Sequence, residues 1–265
     1  MATLKTLVAD SREFGGPVIQ ISGRKTPYTY SDFAPNVWKS GNLFGHYGVH
    51  PGAEVTVVAG PKEQDGGTSG ADDPVGRFDS ADPIFAILGA TLVGATVRLQ
   101  PVEPVDSRAL VCPAAWVDRY ETAPSCSIIA YGGPPEDAAI SHFETEMWSE
   151  NPTEPPESVA ADDPALRSPD GTYSHDNLLD VATAIAGEYD LGSNDRVVLD
   201  APLTEPGALV AGVLTPLSVG ATLSIAGDDG TRAGDLVVTS ETENQQENTI
   251  QVRTVTERLR DTRRA

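Results

Sequence analysis

Apolar residues recur along this chain in two alternating rhythms. Short stretches at 18–22, 54–59, 95–99, 108–112, 126–131, 196–199 and 236–239 fit strands. Several are continuous rather than alternating, the pattern of strands covered on both faces. Longer segments at 3–14, 31–46, 83–93, 174–189 and from about 250 onward fit helices. Punctuation agrees: Gly15-Gly16 ends the first helix, Ser31 offers an N-cap to the second, and Gly94 ends the third. A turn at 23–27 joins the first strand to a second short strand at 28–30. A helix containing Trp116 separates 108–112 from 126–131, and Pro135 opens another helix that runs through Trp148. The uncharged stretch 207–227 contains Gly212, Pro216 and Gly220, which divide it into a buried helix, a turn and a strand rather than a membrane span.

One unit appears twice. An apolar helix, then Gly94-Ala95-Thr96, then a strand is echoed by a second helix, Gly220-Ala221-Thr222, and a strand. Repeated helix, glycine cap and strand suit αβ crossovers onto parallel sheets, so the expected fold class is α/β: a layered αβ sandwich of parallel sheets with flanking helices. Residues 151–161, rich in proline and acid, form the best internal boundary. The expected division is a first αβ subdomain over 1–150 with a loop at 60–82, a linker at 151–161, a shortened second αβ subdomain over 162–240, and a polar run with an Arg-rich helix over 241–265.

Charge sharpens this picture. Eighteen basic against 39 acidic residues give a net charge of −21, with only four lysines, Lys5, Lys25, Lys39 and Lys62. Such a surface repels itself at low salt and fits a salt-adapted cytoplasmic protein of haloarchaeal type. It argues against nucleic acid and anionic membrane as partners. The 39% hydrophobic content excludes an acidic disordered chain. Cys112 and Cys126 lack Cys-x-x-Cys spacing and read as reduced thiols, and no apolar signal segment opens the chain.

Most short motifs have plain structural readings. Gly66-Gly67-Thr68-Ser69-Gly70 looks like a phosphate loop, but no lysine or helix follows, so it reads as a solvated loop. Gly132-Gly133 ends a strand without dinucleotide-fingerprint spacing. Ser174-His175 would be a nucleophile–base pair only if the partners converged, which adjacent residues rarely do; Ser174 reads as a helix cap with His175 in the first turn. Four histidines show no metal spacing, and Asp72-Asp73, Asp162-Asp163 and Asp228-Asp229 read as solvated loop charge. In the last helix Val252, Val255 and Leu259 share a face, while Arg253, Arg258, Arg260, Arg263 and Arg264 suit a helix C-terminus and the acidic body, or an acidic protein partner.

Several segments together resemble the adenylate-forming acyl-CoA synthetases, the AMP-binding or ANL superfamily. These are Tyr28-Thr29-Tyr30, the Gly48-Val49-His50-Pro51-Gly52 approach to a strand, both Gly-Ala-Thr turns, Asp163-Pro164-Ala165-Leu166, Ser174-His175-Asp176-Asn177-Leu178, and Pro202-Leu203 with Gly207. In that family a Thr-Ser-Gly-Thr-Thr-Gly-x-Pro-Lys-Gly loop, whose N–H groups and lysine hold phosphate, precedes the Ser-His-x-Asn-Leu segment. Here only residues 167–173 occupy its place. Glu205 stands where the family has a histidine or aromatic beside the acyl pocket, and no lysine follows Lys62. The Tyr-Gly-x-Thr-Glu strand, the Thr-Gly-Asp hinge and the small C-terminal domain with its catalytic lysine have no counterpart in these residues. The resemblance therefore implies a truncated, degenerate member without catalytic residues. Its vestigial nucleotide or acyl site would comprise Asp170, Gly171, Thr172, Ser174, His175, Leu203, Thr204 and Glu205, with ATP, AMP or acyl-CoA as candidate ligands and no metal. Three readings stay open: a non-catalytic protein that binds a ligand or docks a protein through the Arg-rich helix, a residual acid:CoA ligase completed by a partner chain, or an inert folded remnant.

Overall fold

A computed structural model describes residues 2–59, 80–225, 233–241 and 248–264. The glycine-rich motif at 66–70 and the acid pairs at 72–73 and 228–229 lie outside the described residues. Two sheets organise the rest. The first has the order β13-β12-β10-β11-β1-β2, from Thr249–Gln251, Leu236–Thr239, Arg196–Asp200, Thr222–Ile225, Pro17–Ile21 and Tyr28–Thr29. The second has the order β7-β6-β5-β3-β4-β8-β9, from Ser141–His142, Ser127–Tyr131, Ala109–Pro113, Glu54–Val57, Thr96–Arg98, Pro164–Ser168 and Gly171–Ser174. Every pairing is parallel except the edge hairpins β1–β2 and β8–β9. The fold is thus α/β with two mostly parallel sheets. Sheet membership cuts across chain order: the N-terminal hairpin joins the C-terminal strands, and strands on both sides of 151–161 build the second sheet.

Burial explains the continuous apolar strands. In β5, Ala109 and Val111 face the main core while Leu110 and Cys112 face a second cluster with Trp116 and Val58. Alternation is present, but both faces are covered, so each position must be apolar. In β10, Val197 and Leu199 face the main core, and Val198 packs on Val237 behind it.

Helices α1 (Leu4–Asp10), α2 (Tyr30–His46), α3 (Asp82–Leu92) and α5 (His175–Glu188) all contribute to the main core. Residues 83–92 of α3 are buried without exception. Helix α6 (Pro206–Leu209) runs into a π turn at Val210–Leu214 and then α7 (Thr215–Val219). Pro216 has no N–H to give the preceding turn, and the wider π turn accommodates it. Both repeated turns have left-handed glycines, Gly94 at φ +76° and Gly220 at φ +78°. Each is followed by an alanine N–H that closes onto the helix behind it, Ala95 on Ala90 O at 3.1 Å and Ala221 on Pro216 O at 3.0 Å. The buried Tyr30 hydroxyl donates to Ala221 O at 2.7 Å, tying α2 to the second turn.

Three expectations are corrected. The helix expected from Pro135 begins only at Phe143, as α4 (Phe143–Ser149). Gly132 and Gly133 take positive φ, and Ser141–His142 adds to the sheet beside β6, so tertiary pairing displaces the helix start. Thr29, rather than Ser31, is the N-cap of α2. Ahead of the last helix, α8 (Val252–Arg264), the polar run yields an unforeseen edge strand, β13, parallel to β12.

Candidate functional site

Residues 167–173, which the sequence resemblance sets against a phosphate loop, fold as a hairpin. Arg167 pairs with Thr172 and Ser168 with Gly171, leaving Pro169-Asp170 as a two-residue turn. Such a turn commits the flanking N–H groups to the strand ladder, so no row of N–H groups converges on an anion. Gly171 takes φ +140°, open to glycine and strained for any other residue.

Helix α8 lies across this hairpin. Arg260 Nη2 donates to Asp170 Oδ2 at 2.5 Å. The Arg263 guanidinium sits 5.7 Å from the centre of the Tyr173 ring. It lies so near Gly171 that a Cβ added there would fall 1.2 Å from Arg263 Nη1. Arg258 holds Glu188 of α5 through bonds of 2.5 and 3.2 Å, and this pairing keeps the Glu188 carboxyl below its ordinary range. Beneath the charges, Val252, Val255 and Leu259 are buried. Gly207 N–H donates to Thr256 Oγ1 at 3.2 Å, and a Cβ on Gly207 would meet Val252 O at 2.2 Å. The α6 turn and α8 touch backbone to backbone.

What remains between the hairpin, the carboxyl end of β4 and residues 204–206 is a cleft of about 60 Å³, with Arg98, Gln100, Arg167, Pro169 and Thr204 among its walls. Ligand pockets run from roughly 300 Å³ upward, whereas a water's share of liquid is about 30 Å³, so this cleft falls far short of a drug- or nucleotide-sized site. Its cations are engaged. Arg98 bonds Glu54 at 2.8 and 3.2 Å, and Arg167 lies 3.3 Å from the same carboxylate. Gln100 donates to Thr204 O at 3.0 Å and closes the cleft's other side.

The residues named from sequence are therefore dispersed. Asp170 and Gly171 lie under α8, Thr172 is in the β9 ladder, and Leu203 is fully buried in the core. Glu205 is the N-cap of α6, and its carbonyl accepts from Ala208 N–H at 3.1 Å. Thr204 lines the cleft. Ser174 caps α5, and Asn177 Oδ1 accepts the Ser174 N–H at 3.4 Å. His175 has no exposed surface; its Nδ1 accepts from Leu4 N–H at 3.2 Å, so the neutral ring pins α1 to the start of α5. Burial lowers its pKa to about 4, the neighbouring Asp163 and Asp176 only partly opposing this. It cannot reach a substrate. Missed by sequence reasoning were Arg98, Gln100 and Arg167, whose convergence depends on strand order. The arginines of the tail were noticed, but not the targets of Arg258, Arg260 and Arg263.

No protein-family model and no curated protein matches this sequence. Solved structures do resemble it. A benzoate CoA ligase from Burkholderia xenovorans superposes with a TM-score of 0.69 at 19% identity, over 90% of this chain and 50% of that one. The anthranilate CoA ligase AuaEII, solved with anthranoyl-AMP, gives 0.67 at 16% identity over 85% and 45%. The N-terminal domain of FACL13 from Mycobacterium tuberculosis gives 0.66 at 14% identity over 85% and 57%. The chain spans about half the length of these structures. At such identities the likeness establishes the fold alone, an α/β arrangement of two mostly parallel sheets that this chain shares with those CoA ligases and with the N-terminal domain of FACL13.

Proposed function

We propose that this protein is a non-catalytic relative of the adenylate-forming enzymes that acts by binding rather than by activating an acid with ATP. One observation carries the reading: where a phosphate loop would stand, a two-residue turn is clamped by Arg260 and Arg263 of α8. Acyl-adenylate formation needs donors placed where charge develops on the transferring phosphoryl group. In the present arrangement the nearby guanidiniums of Arg98, Arg167, Arg258 and Arg260 are already paired with Glu54, Glu188 and Asp170. The cleft of about 60 Å³ supports the same reading, since a nucleotide does not fit it. On this view the Arg-rich helix serves the protein's own body as a clamp before it serves any partner.

The test is ATP–pyrophosphate exchange with a panel of aliphatic and aromatic carboxylic acids, alongside calorimetric titration with ATP and a non-hydrolysable acyl-adenylate analogue, in molar KCl. No exchange and no saturable heat are expected. Acid-dependent exchange above the background of an Asp170→Ala control would sink the proposal, and micromolar binding of the adenylate analogue would return the cleft to the list of ligand sites.

A further inference from the structure

A separate concavity of about 530 Å³ opens between the β1–β2 turn, the start of α3 and helix α4. It shares no lining residue with the closed cleft, and its volume lies within the range of small-molecule sites. One wall is aromatic. Tyr28 meets Phe85 edge to face with ring centres 5.3 Å apart, and Trp148 stands at the rim with 57% of its surface exposed. Exposure of a tryptophan to that degree is unusual in a chain whose other large apolar side chains are mostly covered.

The polar lining includes two carboxylates, Asp82 and Glu144, beside Ser22, Arg24 and Ser80. Each is oriented by its own neighbours. Asp82 accepts from the Ser80 hydroxyl, and Glu144 Oε1 accepts from Gly132 N–H at 2.7 Å. Among the described residues neither has a lysine or arginine within ion-pair distance; Glu144 Oε2 accepts no hydrogen bond and has only His142 Nε2, at 3.2 Å. Arg24, the one arginine lining the concavity, is turned to Thr26 O and the Tyr28 hydroxyl, with its guanidinium 4.1 Å from the Tyr28 ring centre. The aromatic wall thus already seats a cation on one face. Desolvated carboxylates without a full counter-charge are costly, and a cation supplied from solution would remove that cost.

We propose that this concavity binds an arylalkyl ammonium ion, its ammonium group between Asp82 and Glu144 and its ring against Tyr28, Phe85 and Trp148. The size selects a ring on a short chain, and the two carboxylates select a primary amine over the acid of the same shape. Proton linkage gives an independent signature. Burial, with Glu144 adding to it, raises the Asp82 pKa to about 6, against the opposing Ser80 bond and the charges of Arg24 and His142. An ammonium ion stabilises the ionised carboxylate, so affinity rises as pH climbs through that value.

Phenethylamine and 3-phenylpropionate, matched in shape and opposite in charge, are the probes, titrated calorimetrically into the full chain at the lowest KCl concentration that keeps it folded. The amine is expected to bind saturably and the acid not at all, with amine affinity about tenfold weaker near pH 5 than near pH 7.5 for one coupled proton. Asp82→Asn should weaken amine binding at least about tenfold at neutral pH and flatten its pH dependence. Glu144→Gln keeps an acceptor for Gly132 and should weaken binding without flattening the profile, which serves if Asp82→Asn does not fold. Equal binding of the acid, no saturation by the amine up to about 10 mM, or unchanged amine affinity in the folded variants would overturn the proposal.

Discussion

Replacing Gly207 by alanine separates two physical effects that predict opposite signs. Gly207 lies in the helical turn α6, where alanine normally stabilises by about 0.5–1 kcal/mol through propensity and a restricted unfolded state. Packing says otherwise. The new Cβ would lie 2.2 Å from Val252 O, 2.7 Å from Thr256 Oγ1 and 3.0 Å from Thr256 N, and two of those three atoms are backbone that cannot swing aside. The α6 turn and α8 must move apart, at the roughly 1–3 kcal/mol typical of overpacking, and the Gly207–Thr256 hydrogen bond adds about 1 kcal/mol if it breaks. Release of α8 altogether is dearer, since exposing Val252, Val255 and Leu259 costs about 5–9 kcal/mol in total. The helix therefore stays attached but displaced, with a net loss of about 1–3 kcal/mol. Urea denaturation followed by far-UV circular dichroism reads the loss. Hydrogen exchange should show lower protection at Val255 to Leu259 while the strand amides of β10 hold. A variant as stable as the parent or more so, with α8 protection intact, would refute the contact between these backbones.

Two ionisable groups, the buried His175 and the half-buried Asp82, should leave opposing marks on stability. His175 titrates near 4 in the fold instead of 6.5, so the unfolded chain takes up a proton that the fold refuses; its contribution is complete above 6.5 and is lost as pH falls toward 4. Asp82 is raised from 3.8 to about 6, so the fold retains a proton that the unfolded chain gives up; its contribution is complete below 3.8 and is lost as pH rises through 6. Each spans about 3 kcal/mol, so they offset one another over the acidic range. Asp82→Asn should expose a steep loss on acidification, and His175→Gln a gain; identical pH slopes in all three proteins would contradict both assignments. Arg258→Gln should cost no more than about 1 kcal/mol, because the pair with Glu188 is largely exposed, and the difference should vanish near 1 M KCl. With a net charge of −21, the parent's melting temperature should rise between about 0.1 and 1 M KCl, and a flat response would remove the case for salt adaptation.

Local rules made much of this fold legible in advance. The Gly94 and Gly220 turns, the buried strands and the Ser174 cap each depend on a few neighbouring residues, so their patterns survive in the sequence. Where a partner from elsewhere decided the outcome, local reading failed. Residues 135–142 looked helical until Ser141 paired with Ile129 of β6, and the polar run before α8 hid a strand that forms only beside β12.

The sequence alone determined the α/β class and the strongly acidic balance, because these follow from period and composition. Tertiary structure decided the rest. Asp170 meets Arg260 across 90 positions of chain, and Gly207 meets Val252 and Thr256 across more than forty. That α8 clamps the hairpin, that the cleft beside it is closed, and that Asp82 and Glu144 share a concavity with Tyr28 and Trp148 all depend on which distant elements pack together. Hydrophobic patterning specifies that a face must be covered, but not by which segment.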